Sequence, residues 1–236
     1  MPNWVYNGLT VEGNAESVTK LVEQMNTPFV DYIEVTGDLA YGIKQIKYSN
    51  PVFSFRNIIA PTDLEAYKSQ PWTVDSINNR YENKDSWYNW NIRNWGVKWD
   101  VAVSNDNKYP DTYIEGPTPN GDNSVVYYNF NTAWGIAEPA LAELSSQYPD
   151  LLFTLSYEEE TGWGGELEIL RGKFISHSQY GWKCRECDHT EEETPYCEEC
   201  EYDMCPSCGY GEPDEICQSH MIESELPPKV AVKENA

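Results

Sequence analysis

The chain has 236 residues, and its 39 acidic and 16 basic side chains give a formal net charge of -23. This balance argues against direct binding to nucleic acid or to an anionic membrane, since both need clustered lysine and arginine. The sequence shows neither an apolar run of the roughly 18 residues that a membrane span needs nor an N-terminal signal peptide, so we expect a cytoplasmic protein.

The first elements that the apolar periodicity predicts are a strand and a helix. Residues 4–12 alternate apolar and polar positions, as in a half-buried strand. Asn14 can cap the next element, a helix over residues 15–25 with Val18 and Leu21 at helical spacing. A strand is therefore expected to lead directly into a helix.

The middle of the chain has shorter and less regular patterns. We expect a hairpin or insertion over residues 33–55, a helical turn over 63–68 and a short helix over 87–95. A strand is predicted over 98–104. Residues 105–123 are rich in Asn, Asp, Pro and Gly, which predicts a loop.

A second set of regular elements follows. Residues 124–131 and 151–158 read as strands, and they flank a helix over 140–148 that has Pro139 in its first turn. After an acidic turn, a further strand is predicted over 166–175. The resulting order, β-α-β-β-α-β with an added strand, is that of a ferredoxin-like split βαβ fold of the α+β class.

Four tryptophans, at positions 87, 90, 95 and 99, lie close together in the sequence. Trp87 and Trp90 share one face of the predicted helix, where they could stack on bases or on a sugar. A tryptophan stripe at this spacing is more typical of a core. The scarcity of basic residues also argues against base stacking, because single-strand binders need a cationic track.

All seven cysteines lie beyond residue 183, in three Cys-x2-Cys pairs and one Cys-x2-His pair. Eight such ligands fill two tetrahedral zinc sites with no position open for water, which predicts two structural zinc ions. In a reducing compartment, clustered cysteines favour metal over disulfides. The predicted ligands are Cys184, Cys187, Cys197, Cys200, Cys205, Cys208, Cys217 and His220.

Two arrangements of these ligands are possible. In a sequential arrangement, as in tandem zinc ribbons, the first two pairs hold one ion and the last two hold the other. In a cross-brace, the first and third pairs share one ion. Nine residues separate Cys187 from Cys197, as in the ZZ-type zinc finger. The segments WKCREC and YCEECEYDMCPSC resemble that family, and this resemblance favours the cross-brace. His189 is interpreted as a surface residue.

Three segments before the cysteines carry a second resemblance: MPNW, WYNWNIRNWGVKWD and FNTAWGIAEPALAELSSQYPDLLFTLSYEEE. They resemble the YubB/Api type of ferredoxin-like proteins, which bacteriophages and plasmids carry. The resemblance implies a ferredoxin-like domain over residues 1–176 and a mobile-element origin, but no activity. We expect the zinc-binding module to follow over 177–222, and a flexible tail over 223–236.

The sequence favours an interaction protein that binds a host protein in the host cytoplasm, through an acidic surface and the zinc module. ZZ-type modules bind basic peptides in acidic pockets, so the resemblance implies a cationic surface or peptide as partner. The carboxylates expected to contribute are Asp188, Glu191, Glu192, Glu193 and Asp203.

Two other functions stay open. The charge of -23 also suits a DNA mimic that inhibits a host nucleic-acid-binding or defence enzyme. A small enzyme is less expected, because the three histidines all follow residue 176 and no phosphate-binding loop or nucleophile elbow is present.

Overall fold

The fold is taken from a computed structural model. The structure describes residues 2–37, 40–69, 72–76, 79–82, 84–104 and 111–183, with the short segments 190–191, 196–197 and 202–203. The chain divides into two compact units, one formed by residues 1–160 and 165–178 and the other by residues 161–164 and 179–236. No helix in the described part of the chain is long and apolar enough to cross a membrane.

Ten strands and four helices are described up to residue 180. In chain order they are β1 (Trp4–Asn14), α1 (Ala15–Met25), β2 (Phe29–Gly37), β3 (Ala40–Tyr48), α2 (Leu64–Tyr67), β4 (Trp72–Ser76), β5 (Asn79–Glu82), α3 (Trp87–Trp95), β6 (Tyr113–Asn120), β7 (Asn123–Ala133), α4 (Glu138–Gln147), β8 (Leu151–Glu159), β9 (Gly164–Leu170) and β10 (Lys173–Tyr180).

The main sheet has six strands in the order β10-β9-β8-β1-β7-β6. β1 runs antiparallel to both of its neighbours, β7 and β8, and β6 pairs antiparallel with β7. With α1 and α4 as the two crossover helices, the inner part β8-β1-β7-β6 has the ferredoxin-like order. This confirms the predicted α+β class, with β9 and β10 added at one edge.

The core forms because each central strand alternates buried and partly exposed positions. Residues of β1, β7 and β8 that point to one face are covered by α1, which packs on β1 and β7, and by α4, which packs on β8. Full burial of each such side chain stabilises the fold by about 1.5–3 kcal/mol. The fully buried side chains of these three strands and two helices include Val5, Leu9, Val11, Val18, Leu21, Met25, Val126, Tyr128, Phe130, Leu141, Leu144, Leu151, Phe153 and Leu155.

The predicted start of α1 is confirmed. The Asn14 side chain accepts hydrogen bonds from the backbone N–H groups of Glu16 and Ser17, at 3.0 and 3.3 Å. These bonds satisfy two donors that a helix leaves without intrahelical partners. Gly13 precedes the cap at φ +155, where a Cβ would lie 2.6 Å from the Asp150 carbonyl oxygen.

The insertion between α1 and β6 was predicted only in outline. The expected hairpin over residues 33–55 is present, but its strands β2 and β3 begin and end earlier, and they pair from Phe29 with Tyr48 to Gly37 with Ala40. The β4–β5 hairpin was not predicted. The helical turn and the helix over 87–95 are confirmed as α2 and α3.

Two predictions between residues 98 and 123 are wrong. Residues 98–104 form no strand, and β6 lies inside the expected loop over 105–123. β6 is an exposed edge strand, so it lacks the apolar alternation that a half-buried strand needs. It also contains the cis Gly116–Pro117 bond and a register shift between Glu115 and Thr118.

The single strand predicted over 166–175 is in fact two strands, β9 and β10. Arg171 and Gly172 join them, with φ values of 54 and 72. Two consecutive residues at positive φ form the tight turn that suits the twist of a hairpin, for which Asn-Gly is the usual signal. Arg-Gly does not carry that signal, and the turn was therefore missed.

Candidate functional site

Most of the predicted zinc ligands lie outside the described residues. This holds for Cys184, Cys187, Cys200, Cys205, Cys208, Cys217 and His220, and also for His189. Cys197 is described, and it ends a short strand, β13 (Tyr196–Cys197), that pairs with β14 (Tyr202–Asp203). An earlier pair joins β11 (Trp182–Lys183) to β12 (Thr190–Glu191).

The two short ladders bracket the first two cysteine pairs in the sequence. Cys184 and Cys187 fall between β11 and β12, while Cys197 and Cys200 fall at and after the end of β13. The thiolate and imidazole donors of this segment are those that zinc prefers in structural sites. Within the described ranges, no group of three or more His, Cys, Asp or Glu residues could hold a metal ion.

The predicted acidic residues are described only in part. Glu191 lies on β12 opposite Trp182, and Asp203 lies on β14 opposite Tyr196. Asp188, Glu192 and Glu193 lie outside the described residues.

An exposed aromatic surface, formed by Trp4, Trp99 and Trp134, lies in the first unit; we call it the tryptophan surface. The rings of Trp4 and Trp99 stack with centroids 6.1 Å apart, and those of Trp99 and Trp134 lie 5.6 Å apart. Trp99 is 38% exposed and Trp134 is 52% exposed. Exposed indoles that are stacked on one another offer flat apolar faces with a negative π potential.

A lysine ammonium already sits against these rings. Lys98 Nζ lies 4.4 Å from the ring centroid of Trp99 and 5.4 Å from that of Trp134. It also lies 5.5 Å from the ring of Tyr88 and 5.8 Å from that of Trp87. All four distances fall within the range of about 6 Å in which a cation is attracted by a ring face. The rings of this surface are therefore in cation–π contact with the chain's own Lys98.

The backbone that carries Lys98 and Trp99 is fixed from both sides. α3 ends at Gly96, whose φ of 87 lets the chain turn sharply, and the following Val97 is buried. The Asn91 side chain donates a hydrogen bond to the Lys98 carbonyl oxygen at 2.8 Å. The segment thus leaves the helix in a defined direction, and Trp99 lies outside the row of tryptophans on α3.

Asp100 holds the other side of this segment. Its buried carboxylate accepts hydrogen bonds from Ser54 Oγ at 2.6 Å, from the Phe55 N–H at 2.8 Å and from the Arg56 N–H at 3.1 Å. It also accepts a bond from the Val101 N–H at 2.7 Å. Burial raises the pKa of Asp100 above its ordinary value, while these hydrogen bonds oppose that shift.

Trp134 reaches the surface from the end of β7. Its backbone N–H donates to the Asn3 carbonyl oxygen at 2.9 Å, and its φ is 64. Left-handed backbone is unfavourable for a bulky L residue, by about 1–2 kcal/mol. Trp134 thus keeps an unfavourable backbone conformation although about half of the residue stays in solvent.

Carboxylates and a tyrosine adjoin the tryptophan surface on the sheet. Tyr6 of β1 pairs with Glu158 of β8, and about half of Tyr6 is exposed. The Glu160 N–H donates to the Trp4 carbonyl oxygen at 3.1 Å, so the backbone of this exposed residue adjoins that of Trp4. The strand alternation puts Trp4, Tyr6 and Glu158 on the face opposite the core.

The interpretation of the four clustered tryptophans as core residues is confirmed for two of them. Trp87 and Trp95 are buried, and Trp95 Nε1 donates to the Ile59 carbonyl oxygen. Trp90 is half-buried and packs edge-on against Trp95. For Trp99 the interpretation is wrong, because Gly96 ends the helix before it; that glycine was the signal that could have separated Trp99 from the stripe.

A tyrosine–histidine pair was missed from the sequence. Tyr157 Oη lies 2.9 Å from His177 Nε2, and His177 belongs to the first compact unit. Tyr157 is buried and His177 is exposed. The contact joins a side chain of β8 to one of β10, and it places a histidine in the first unit.

Comparison with known proteins identifies the fold. Residues 99–199 match the family model for the ferredoxin-like domain in Api92-like protein. The match to the Api92-like domain includes Trp99 and Trp134, and it extends past residue 176 through Cys184, Cys187 and Cys197. It confirms the predicted resemblance at the level of the ferredoxin-like domain.

Among solved structures, the chain is similar to the crystal structure of protein api92 from Yersinia pseudotuberculosis, with 10% sequence identity and a TM-score of 0.43. The alignment covers 78% of this chain and 100% of that chain. No curated protein matches this sequence.

Proposed function

We propose that the chain is an interaction protein of a mobile genetic element, which binds a basic host protein through its acidic, zinc-stabilised C-terminal segment. The observation that carries this proposal is the uneven distribution of charge. Residues 181–236 hold 15 acidic and 4 basic side chains, a net charge of -11 in about a quarter of the chain. A partner with clustered lysine or arginine is the ligand that such a segment attracts.

Zinc gives this segment its shape in the proposal. The described strands around the cysteines have only two residues each, too few to hold a fold by themselves. A structural zinc ion supplies about 10–16 kcal/mol in small peptides, so two ions suffice to fix the backbone. Glu191 and Asp203 lie on the paired strands, which supports their role in a fixed acidic surface.

The test uses the zinc-loaded full chain and a synthetic peptide with three arginines spaced by glycines. In one variant, Asp188, Glu191, Glu192, Glu193 and Asp203 are changed to Asn or Gln. A matched variant neutralises five exposed carboxylates of the first unit: Glu23, Glu115, Asp122, Glu138 and Glu166. Both variants change the net charge by the same amount, so they separate a local surface from overall attraction.

We expect the first variant to bind the peptide at least ten-fold more weakly at about 0.15 M salt, where the Debye length of about 8 Å screens distant charges. The matched variant should bind about as well as the native chain. Equal losses in both variants would reject the C-terminal segment as the binding surface and leave only a general effect of charge.

The DNA-mimic alternative is tested with a host protein captured from lysate by the tagged chain. If duplex DNA displaces the chain from that partner and salt weakens the complex steeply, mimicry explains the charge better than a peptide-binding surface does. Release of the partner by the arginine peptide, but not by DNA, supports the proposal made here.

A further inference from the structure

The tryptophan surface lies in the first unit, so the proposed C-terminal binding segment does not explain it. We propose that the tryptophan surface, with Glu158 and Glu160 beside it, is a second docking surface that receives arginine or lysine side chains of a basic polypeptide. This inference rests on the proposed function only because both assume a basic polypeptide as the partner.

The first argument is that the rings already bind an ammonium group. Lys98 Nζ lies over Trp99 at 4.4 Å and over Trp134 at 5.4 Å. Both indoles remain more than a third exposed, so a large part of their area stays open to a ligand. The faces of a guanidinium and an indole stack favourably, and arginine is the more frequent partner in such contacts.

The second argument is the backbone of Trp134. Its φ of 64 would suit glycine or asparagine, yet the position carries the largest side chain. Burial of the ring does not compensate for the strain, because about half of the residue faces solvent. Residues held in strained conformations cluster at ligand-binding positions, where the geometry that they impose is used.

The third argument is the sign of the charge nearby. Glu158 is paired with Tyr6, and Glu160 is hydrogen-bonded to the backbone of Trp4. These carboxylates favour a cationic ligand and repel a phosphate or a carboxylate. The negative charge next to Trp4 therefore adds to the attraction that the indole faces exert on an arginine.

The experiment measures binding of the triple-arginine peptide to the zinc-loaded full chain, with the indole N–H signals observed by NMR. We expect the signals of Trp99 and Trp134 to shift. A peptide with citrulline in place of arginine has the same shape without the charge, and it should leave both signals in place. Equal shifts with both peptides would overturn the proposal.

The variant Trp134→Gly removes the ring and suits the left-handed backbone, so relief of the strain offsets part of the lost packing and the chain should still fold. Loss of one exposed ring contact should weaken binding to the triple-arginine peptide about two- to five-fold, the factor for about 0.5–1 kcal/mol. Phe174→Ser, at another exposed aromatic residue, is the matched control and should bind as the native chain does. Unchanged affinity in Trp134→Gly would overturn the proposal.

Lys98→Met gives a readout of opposite sign. It keeps most of the apolar stem while it removes the ammonium that competes for the rings, and we expect the triple-arginine peptide to bind more tightly. Unchanged or weaker binding would reject a cation site. These outcomes are independent of the C-terminal segment, because the shifts of Trp99 and Trp134 should persist when the five C-terminal carboxylates are neutralised.

Discussion

Arg56 Nη1 lies 2.7 Å from Asp31 Oδ1, and both side chains are less than a tenth exposed. The guanidinium also lies 5.9 Å from the ring centroid of Phe29 and 5.8 Å from that of Tyr67. Asp31 comes from β2, whereas the backbone N–H of Arg56 is bonded to Asp100, so the pair ties the inserted hairpin to the segment that carries Trp99.

Removal of one partner should therefore destabilise the first unit strongly. Arg56→Met leaves a buried carboxylate without its cation, and we expect the free energy of unfolding to fall by about 3–5 kcal/mol. Urea unfolding followed by tryptophan fluorescence measures this change. The matched control is Arg93→Met, which breaks the exposed contact with Asp85 and should change the free energy of unfolding by about 1 kcal/mol or less. Equal losses in the two variants would contradict the importance of the buried pair.

The same pair predicts a pH dependence. Burial raises the pKa of Asp31 from 3.8 to about 6, although the positive charge of Arg56 opposes the shift; the nearby charge of Asp100 adds to it. The folded chain thus binds more protons than the unfolded chain between about pH 4 and 6. The contribution of Asp31 to stability is greatest below this window and decreases as the pH rises through it.

Asp31→Asn cannot titrate, so its free energy of unfolding should lack this decrease. The measurement compares native and variant chains in urea at several pH values from about 4 to 7. Only the difference between the two chains is used, which cancels titrations that they share. A difference that stays constant over this range would contradict a raised pKa for Asp31.

Local rules predicted the parts of the fold that they govern. Asn14 was recognised as the cap of α1, and α3 was predicted with its observed bounds, because capping and apolar spacing act within one helix. β6 was missed because its exposed residues lack apolar alternation, although a tight turn at Gly121 joins it directly to β7. Tertiary pairing decides such strands.

The candidate sites differ in the same way: local sequence signals indicate one of them, and tertiary contacts form the others. The cysteine spacing indicates a zinc site by itself, since the ligands lie close in sequence. The tryptophan surface joins Trp4, Trp99 and Trp134 from three distant segments, and His177 meets Tyr157 across the sheet. Only the topology brings these residues together, so their spacing along the chain carries no sign of either site.

Two glycine turns of the main sheet, at Gly121 and Gly172, offer a matched test of packing. Gly172 has φ 72, and a Cβ there would lie 3.0 Å from Ser146 Cβ and 3.2 Å from the Ala142 carbonyl oxygen. Gly121 has φ 61, and a Cβ there would have no neighbouring atom within 4 Å. Each change to alanine should lower the free energy of unfolding by about 1–2 kcal/mol through backbone strain.

Gly172→Ala should be the more destabilising of the two, because its methyl group also presses on α4. Thermal and urea unfolding of the two variants measure the difference. If Gly121→Ala were the more destabilised variant, close packing of the β9–β10 turn against α4 would be wrong.

Metal removal should affect the two compact units of the chain differently. We expect native mass spectrometry to find two zinc ions per chain, and a strong chelator to unfold the cysteine-rich segment while the first unit stays folded, since its core is built from apolar side chains. Hydrogen exchange after chelation should leave the amides of β1, β7 and β8 protected.

Cys197→Ser should lose one zinc ion, because a tetrahedral site with three cysteine or histidine ligands binds much more weakly than one with four. His189→Ala, which changes a histidine interpreted as a surface residue, should keep both ions. A native chain that holds no zinc, or a His189→Ala chain that loses an ion while Cys197→Ser keeps two, would contradict the predicted ligand set.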